Sequence, residues 1–263
     1  MLRTMKDMEG YTVSATDGSI GRVTDFYFDD DKWVIRYLIV AIGDHLPRRK
    51  VLISPIAIGQ PNWSEKILPV ALTRQQVKNS PDIDTDKPVS RQQEMGYLGY
   101  FGYGTYWGGG GLWGAGIYPD ILQAGLQEME ASSNNGESHH EDPHLRSGNA
   151  IMRYYVHASD GDIGHVQGLL VDEKSWAIRY LIVNTSNWWL GHQVLIAPKW
   201  IDDVSWTEST VSVGLTRQAV KNAPHYDPIV TLDREQEADI HEHYGRHGYW
   251  LDEAKHESAT PRR

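Results

Sequence analysis

The chain contains no cysteine, which excludes disulfides, zinc–thiolate sites and thiol nucleophiles. Phenylalanine is scarce, at 3 of 263 residues, whereas 10 tryptophans and 14 tyrosines favour half-buried strands and interfaces. No run of about 18 apolar residues is present, and the first ten residues contain no apolar run, so we expect no membrane-spanning helix and no secretory signal. A basic excess is also lacking: the formal net charge of −10 disfavours nucleic-acid binding through phosphates.

One long segment of the chain occurs twice, at a constant offset of 143 residues. The octapeptide "WVIRYLIV" from Trp33 to Val40 returns as "WAIRYLIV" from Trp176 to Val183. About 40% of roughly 97 aligned positions are identical, far above chance for a self-comparison. Other matched segments are DGSIGRV with DGDIGHV, VLISP with VLIAP, LTRQQVKNSP with LTRQAVKNAP, and RQQE with REQE. The sequence therefore predicts a duplicated domain.

Each copy has the pattern of a small β domain. In the first copy, Asp17-Gly18 is a hairpin-turn signal between two alternating segments. Further strands are predicted over "WVIRYLIV", "KVLISP", "IAIG" and "KILPVAL", and "TRQQVKNSP" is predicted as a short helix with Thr73 as its N-cap. These spacings predict an all-β fold of about six strands per copy, closed as a small barrel or packed as a sandwich.

An arginine lies in the middle of each apolar octapeptide, Arg36 in the first copy and Arg179 in the second. Because both faces of this strand are apolar, we expect it to be central and its arginine to need a carboxylate or carbonyl partner. Asp25 could pair with Arg36, but its counterpart at position 168 is glycine. Asp29 and Asp172 occur in both copies and are the preferred partners. The main hypothesis is a structural ion pair, with an anion site as the alternative.

These motifs resemble the PRC-barrel family. The hairpin "DGSIGRVTD", the octapeptide, "VLISP" and "LTRQQVKNSP" carry the resemblance, which covers residues 6–84 and 149–227. The family's fold is that of the cytoplasmic domain of the photosynthetic reaction centre H subunit, and a related barrel belongs to a bacterial ribosome-maturation factor. The resemblance implies two small β-barrels of about six strands each, accompanied by short helices.

Function follows from the resemblance only as an expectation. The resemblance implies a non-enzymatic adaptor that docks on a protein or complex. The context that the family suggests is photosynthetic light reactions and electron transport. The implied partner is a protein, with a membrane-associated complex as one option, and the expected location is the cytoplasm or the periphery of the inner membrane. The alternative is an RNA- or ribosome-associated assembly factor. Pairing of the two barrels within the chain is also open.

Two segments flank the predicted barrels. Residues 85–148 contain a predicted helix, an uncharged Gly/Tyr/Trp-rich stretch from Tyr97 to Tyr118, and a polar acidic run. The Gly/aromatic stretch has two interpretations: a linker whose rings pack on the barrels, or a docking segment for a partner or a membrane interface. Residues 228–263 are predicted as a helical acidic tail. "SRQQ" and "DREQ" predict capping boxes at the helix starts in these two segments.

Catalytic, cofactor and metal motifs are not found in the sequence. There is no nucleophile elbow and no phosphate-binding loop, so we expect no enzyme activity and no cofactor. Two histidine clusters raise the question of a metal; they comprise His139, His140 and His144, and His241, His243 and His247. Neither cluster has a carboxylate at a known ligand spacing, and no metal site is predicted.

The two copies differ most in the loop that follows the octapeptide. The first copy has "AIGDHLPRRK", which presents Arg48, Arg49 and Lys50. The second has "NTSNWWLGHQ", which presents Trp188 and Trp189. Because loops rather than strands usually carry function, these residues are the candidate partner-binding loops. The basic loop would suit an acidic or phosphate group, and the tryptophan loop an apolar patch or membrane interface; a divergent surface hairpin without function is the alternative.

Overall fold

A computed structural model gives the fold of the chain, and it describes residues 1–43, 49–81, 89, 91–107, 109–123, 144–185 and 192–259. The chain divides into two compact units. The first unit comprises Asp7–Gly148 and Ser175–Ala177, and the second comprises Met1–Lys6, Asn149–Lys174 and Ile178–Arg263. Each unit is thus built mainly from one repeat, with short pieces from elsewhere in the chain.

Strands and short helices alternate along the chain. The strands are β1 (Leu2–Thr4), β2 (Thr12–Ala15), β3 (Gly18–Asp29), β4 (Val34–Ile42), β5 (Arg49–Ile53), β6 (Ile67–Pro69), β7 (Leu145–Ser147), β8 (Tyr155–Ala158), β9 (Gly161–Asp172), β10 (Ile178–Asn184), β11 (Gln193–Ile196), β12 (Ile201–Ser205) and β13 (Thr210–Val213). The α-helices are α1 (Met5–Met8), α2 (Arg74–Lys78), α3 (Arg91–Phe101), α4 (Gly148–Ile151), α5 (Arg217–Lys221), α6 (Arg234–His243) and α7 (Tyr249–Ala259). Short 3₁₀ helices occupy Pro55–Ala57, Pro119–Leu122 and Pro198–Trp200.

The described residues of each unit form one sheet. The first sheet has six strands in the order β5-β4-β3-β2-β6, with β7 also paired to β3. The second has seven strands in the order β11-β10-β9-β8-β13-β12, with β1 also paired to β9. Neighbours are antiparallel except β2 with β6 and β8 with β13. The sheet-rich fold is therefore confirmed, whereas no ladder among the described residues joins the two edge strands of either sheet into a closed barrel.

The first strand of each repeat pairs in the sheet of the other repeat. At the offset of 143, β1 and β7 are equivalent segments, "LRT" and "LRS". β1 runs antiparallel to β9, with Arg3 opposite Val171, and β7 runs antiparallel to β3, with Arg146 opposite Phe28. The two repeats therefore exchange their first strands reciprocally. Sequence analysis did not predict this exchange, because the octapeptide periodicity says nothing about which chain segment supplies a sheet neighbour.

The octapeptides form the most buried strands, as their two apolar faces predict. Seven consecutive residues of β4 and six of β10 are buried. The strand begins one residue later than predicted in the first repeat, at Val34, and two residues later in the second, at Ile178. Trp33 and Trp176 have φ values of 55° and 59° and precede the strands. These central strands hold Arg36 and Arg179 inside their units, where a partner for the charge is needed.

The segment "IAIG" is not a strand as predicted. Pro55 opens a 3₁₀ helix over Pro55–Ala57, and the Ser54 side chain accepts a hydrogen bond from the Ile56 amide. Proline fixes φ near the helical value and has no N–H to place in a sheet ladder, so it favours this turn over a strand. Only Ile58, just beyond it, forms an isolated bridge, with Val70.

The Gly/aromatic stretch packs within the first unit where the structure describes it. Tyr106, Trp113 and Ile117 are buried. Bridges join Gly111 to Gly114 and Trp113 to Gly116, and a Cβ placed on Gly111 would lie 2.3 Å from the Gly116 carbonyl oxygen. Glycine is therefore needed for two backbone segments to approach so closely. This packing agrees with the first of the two interpretations of the stretch.

The predicted helix starts are formed where they are described. Thr73 caps α2 in a capping box with Gln76, and Asp233 caps α6 in a capping box with Gln236. Ser90, the predicted N-cap of α3, lies outside the described residues. Among the helices that the structure describes, none is long and apolar enough to cross a membrane.

Candidate functional site

Arg36 lies in a fully buried, aromatic environment in the first unit. Its Nη2 donates to Oδ2 of Asp29 at 3.0 Å, and its Nη1 donates to the Leu112 carbonyl at 2.7 Å. The guanidinium carbon lies 3.8 Å from the centre of the Tyr106 ring and 4.7 Å from that of Trp113. Burial alone would raise the pKa of Asp29, but the charge and hydrogen bond of Arg36 and two backbone hydrogen bonds outweigh it and lower the pKa. Asp29 is thus held ionised as the partner of Arg36.

Arg179 has the equivalent position in the second unit with a different set of partners. Its Nη2 donates to Oδ2 of Asp172 at 3.2 Å and also to Glu253 of α7. Its guanidinium carbon lies 3.9 Å from the centre of the Tyr249 ring. Tyr249 is the repeat counterpart of Tyr106, so both arginines make the same cation–π contact. The second partner differs: Arg179 binds the Glu253 carboxylate where Arg36 binds the Leu112 carbonyl. Each arginine therefore lies against the aspartate that the sequence analysis assigned to it.

Asp25, the other partner considered for Arg36, is used differently. Its Oδ2 accepts a hydrogen bond from the Ser147 hydroxyl of β7 at 2.5 Å, and its Oδ1 accepts one from the Phe26 amide. The side chain therefore helps to hold the exchanged strand. Gly168 at the equivalent position leaves the second repeat without this interaction.

A buried glutamate forms a second cluster beside Arg36, and sequence analysis missed it. Glu94 of α3 is fully buried and accepts hydrogen bonds from the hydroxyls of Tyr37, at 3.1 Å, and Tyr106. Nε2 of His144 lies 2.8 Å from its other oxygen, and Nη1 of Arg91 lies 3.4 Å from it. Burial, reinforced by the Glu94 carboxylate, raises the pKa of Tyr37 well above its ordinary value. Tyr37 therefore stays protonated and acts as a hydrogen-bond donor.

A cluster with equivalent glutamate, tyrosine and arginine residues, but with a histidine from a different position, occurs in the second unit. Glu237 of α6 accepts from the Tyr180 hydroxyl at 3.0 Å and pairs with Arg234 at 3.3 Å. Nε2 of His241 lies 3.0 Å from the same hydroxyl. Burial raises the pKa of Glu237 despite hydrogen bonds from Tyr249 and Tyr180, and burial lowers the pKa of His241 to about 4. The matched segments "RQQE" and "REQE" were the sequence feature that could have pointed to these two glutamates. In the sequence alone they resemble solvated helix residues, because their tyrosine partners are distant along the chain.

The histidine clusters are dispersed by the fold. His144 belongs to the Glu94 cluster, and His241 to the Glu237 cluster. His243 lies instead near the Ala219 carbonyl, at 2.8 Å from its Nε2, and Gly245 with φ of 62° ends the helix before His247. His139 and His140 lie outside the described residues. Within the described ranges, no group of three or more His, Asp or Glu side chains is arranged to hold a metal ion.

Of the five predicted partner-binding residues, the structure describes Arg49 and Lys50. Arg48, Trp188 and Trp189 lie outside the described residues. Arg49 opens β5 and donates to the carbonyls of Lys78 and, at 3.0 Å, Ser80. Lys50 follows it with an exposed side chain on the same strand.

These contacts place Arg49 at one wall of a cleft in the first unit. The cleft has a volume of about 570 Å³. In the described part of the chain, its charged lining residues are Arg49, Arg74, Lys78 and Asp17, three cations and one carboxylate. The apolar lining is formed by Ile20, Ile42 and Val77. A concave surface with a few convergent polar groups is the usual form of a binding site.

The equivalent positions of the second repeat carry less positive charge. His192 replaces Arg49, and Asp162 replaces Ser19. Arg217 and Lys221 are retained, as is the carboxylate of Asp160. These aligned positions therefore hold two cations and two carboxylates, and one of the carboxylates, Asp162, pairs with His157 at 2.5 Å. The excess of positive charge is a property of the first repeat.

No known protein-family model matches the chain, and no curated protein matches it either.

Proposed function

We propose that the chain is a non-enzymatic adaptor built from two PRC-type barrels, which docks on a protein partner. The supporting observation is how the buried charges of both repeats are used. Arg36 with Asp29 and Arg179 with Asp172 bind groups of their own unit, and the two buried glutamates accept hydrogen bonds from tyrosines. Charges satisfied in this way stabilise one conformation of the fold and leave recognition to the surface.

The difference between the repeats supports the same proposal. The internal clusters are shared, whereas the cleft charges and the loops after the octapeptides differ. Two copies that keep their interior and vary their surface are what an adaptor with two distinct docking faces requires. The barrel closure and the family's link to membrane-associated redox complexes belong to this proposal and come from the resemblance of the sequence motifs.

Crosslinking mass spectrometry of the full chain in its native host tests the adaptor role. We expect crosslinks from exposed residues of one or both units to a single protein complex. Crosslinks to ribosomal proteins would instead support the alternative, an assembly factor for ribosomes. Recovery of the chain without any intermolecular crosslink would contradict both roles.

A further inference from the structure

We propose that the cationic cleft of the first unit binds an acidic peptide segment of the partner, an inference that rests on the proposed adaptor function. The residues that carry it are Arg49 on β5 and Arg74 and Lys78 on α2. They come from two elements that are adjacent only in the folded unit. Their charges exceed that of Asp17, the one carboxylate among the described lining residues, so this surface attracts anions.

Arg49 is held in place, while the two helix residues remain available at the surface. The guanidinium of Arg49 donates to the carbonyls of Lys78 and Ser80, which fixes its position beside the end of α2. Arg74 and Lys78 are four residues apart on α2, about one helical turn, and both are exposed. A rigid cation at one wall and two solvated cations along the helix therefore form an extended positive surface.

The backbone around α2 favours carboxylates over phosphate. A phosphate is usually bound by unpaired N–H groups at a helix start. Here the Arg74 amide donates to Oδ1 of Asp17 at 2.7 Å, the Gln76 amide donates to Thr73 Oγ1 at 3.2 Å, and the Thr73 amide donates to the Gln76 side chain. These donors are already used by the fold. Recognition is left to side-chain cations, which suit carboxylates distributed along a peptide.

The shape and the apolar lining also favour a peptide. The volume of about 570 Å³ is enough for several side chains rather than a single ion. Ile20, Ile42 and Val77 give an apolar surface between the cations, which would bind apolar side chains that alternate with the acidic ones. A membrane surface, which is flat on this scale, would not enter a concave cleft.

The probe for this inference is a fluorescein-labelled hexaglutamate peptide, titrated with the purified full chain and followed by fluorescence polarisation. We expect binding that weakens as salt rises, because the attraction is between exposed charges. K78E reverses one cation of the cleft and S19D introduces the carboxylate found in the second repeat. Each substitution is expected to weaken binding about fivefold, the order expected for one exposed ion pair.

The matched control is K221E. Lys221 is the repeat counterpart of Lys78, at the same position of the equivalent helix α5, so K221E makes the same charge change in the other unit. We expect it to bind hexaglutamate within twofold of the unsubstituted chain. Circular dichroism melting of the three variants checks that each is folded. Equal weakening by K78E and K221E would show that net charge alone attracts the peptide and would overturn the inference.

Two competitors test the class of ligand. Displacement of hexaglutamate by millimolar inorganic phosphate would show a phosphate site, and K78E-sensitive binding to vesicles with anionic headgroups would show a membrane site; either result overturns the proposal. The host crosslinking experiment separates this inference from the adaptor role. A partner that crosslinks away from Lys78, and equally to K78E, contradicts the cleft and leaves the adaptor standing. Hexaglutamate binding without any host partner supports the cleft and contradicts the adaptor.

Discussion

Arg146 belongs to the second repeat by sequence, yet its Nε donates to Oδ2 of Asp30 in the first repeat at 2.7 Å. The equivalent pair, Arg3 with Glu173, has a distance of 3.0 Å. Each arginine lies on an exchanged strand, and each carboxylate lies at or just beyond the end of the long strand that receives it. These ion pairs, partly buried, add to the backbone ladder that incorporates one repeat's first strand into the other repeat's sheet.

The exchange predicts that a substitution in one repeat destabilises the sheet of the other. Leu145 on β7 is buried. L145D places an unpaired carboxylate there and is expected to destabilise the first sheet by about 3 kcal/mol. Hydrogen exchange measured by mass spectrometry should show lost protection in β3 and β4. L2D, the counterpart on β1, should lower protection in β9 and β10 by a smaller amount, because Leu2 is only half-buried. Loss of protection in each residue's own repeat would contradict the exchange.

The buried Arg36–Asp29 pair predicts a coupled loss of stability. D29N leaves the guanidinium of Arg36 buried without its counter-charge, and we expect the free energy of unfolding to fall by about 3–5 kcal/mol. The double variant D29N/R36M should recover most of this loss, because the unpaired charge is removed with its partner. Urea unfolding at neutral pH measures both.

The second repeat supplies the control for this pair. Asp172 is 18% exposed in its side chain, and Glu253 also pairs with Arg179. D172N is therefore expected to cost less than D29N. Equal losses of unfolding free energy in D29N and D172N would contradict this expectation. So would a loss in D29N/R36M that equals the sum of the losses in D29N and R36M.

Gly111 and Gly99 give a pair of glycine substitutions with opposite expected signs. A Cβ at Gly111 would lie 2.3 Å from the Gly116 carbonyl oxygen, so G111A is expected to destabilise the first unit by about 1–3 kcal/mol. A Cβ at Gly99 in α3 meets nothing within 4 Å, and G99A should stabilise by about 0.5–1 kcal/mol through the helix propensity of alanine. Thermal melting of both variants is the measurement. A melting temperature for G111A at or above that of the unsubstituted chain would show that the Gly/aromatic stretch is not packed as described.

His241 predicts a pH dependence of stability in the second unit. Its pKa in the folded chain is lowered to about 4 from an ordinary value of 6.5. Below pH 6.5 the unfolded chain therefore binds a proton that the folded chain excludes. The free energy of unfolding contributed by this group is complete above pH 6.5 and is lost as the pH falls towards 4, by at most about 3 kcal/mol.

The substitution that tests this dependence is H241L, since leucine is the residue at the counterpart position, Leu98. We expect H241L to lose less stability than the unsubstituted chain between pH 7 and 5 in urea unfolding. Glu237 has a raised pKa and favours the folded state at low pH, so its effect has the opposite sign and is common to both proteins. An unchanged pH slope in H241L would exclude His241 as the titrating group.

Sequence patterns predicted the local parts of this structure well. The octapeptides are the buried central strands, and Thr73 and Asp233 cap their helices, because burial pattern and capping depend on residues close in sequence. The prediction was wrong for "IAIG", because it followed the apolar run and gave too little weight to Pro55, which opens a 3₁₀ helix in the structure. The buried role of Glu94 and Glu237 was missed, because a glutamate on a short helix is usually solvated.

By itself, the sequence determined that one domain is present twice, that each copy is rich in strands, and that the arginine in each central strand needs a carboxylate or carbonyl partner. These conclusions follow from sequence identity, periodicity and the energy of a buried charge. Only the tertiary structure decided that β1 and β7 change places and that Arg49 converges with Arg74 and Lys78 in one cleft. The physical reason is that strand partners and surface clusters are chosen by long-range packing. Equivalent strands fit equivalent sheets equally well, so the pattern of residues along the chain does not distinguish between them.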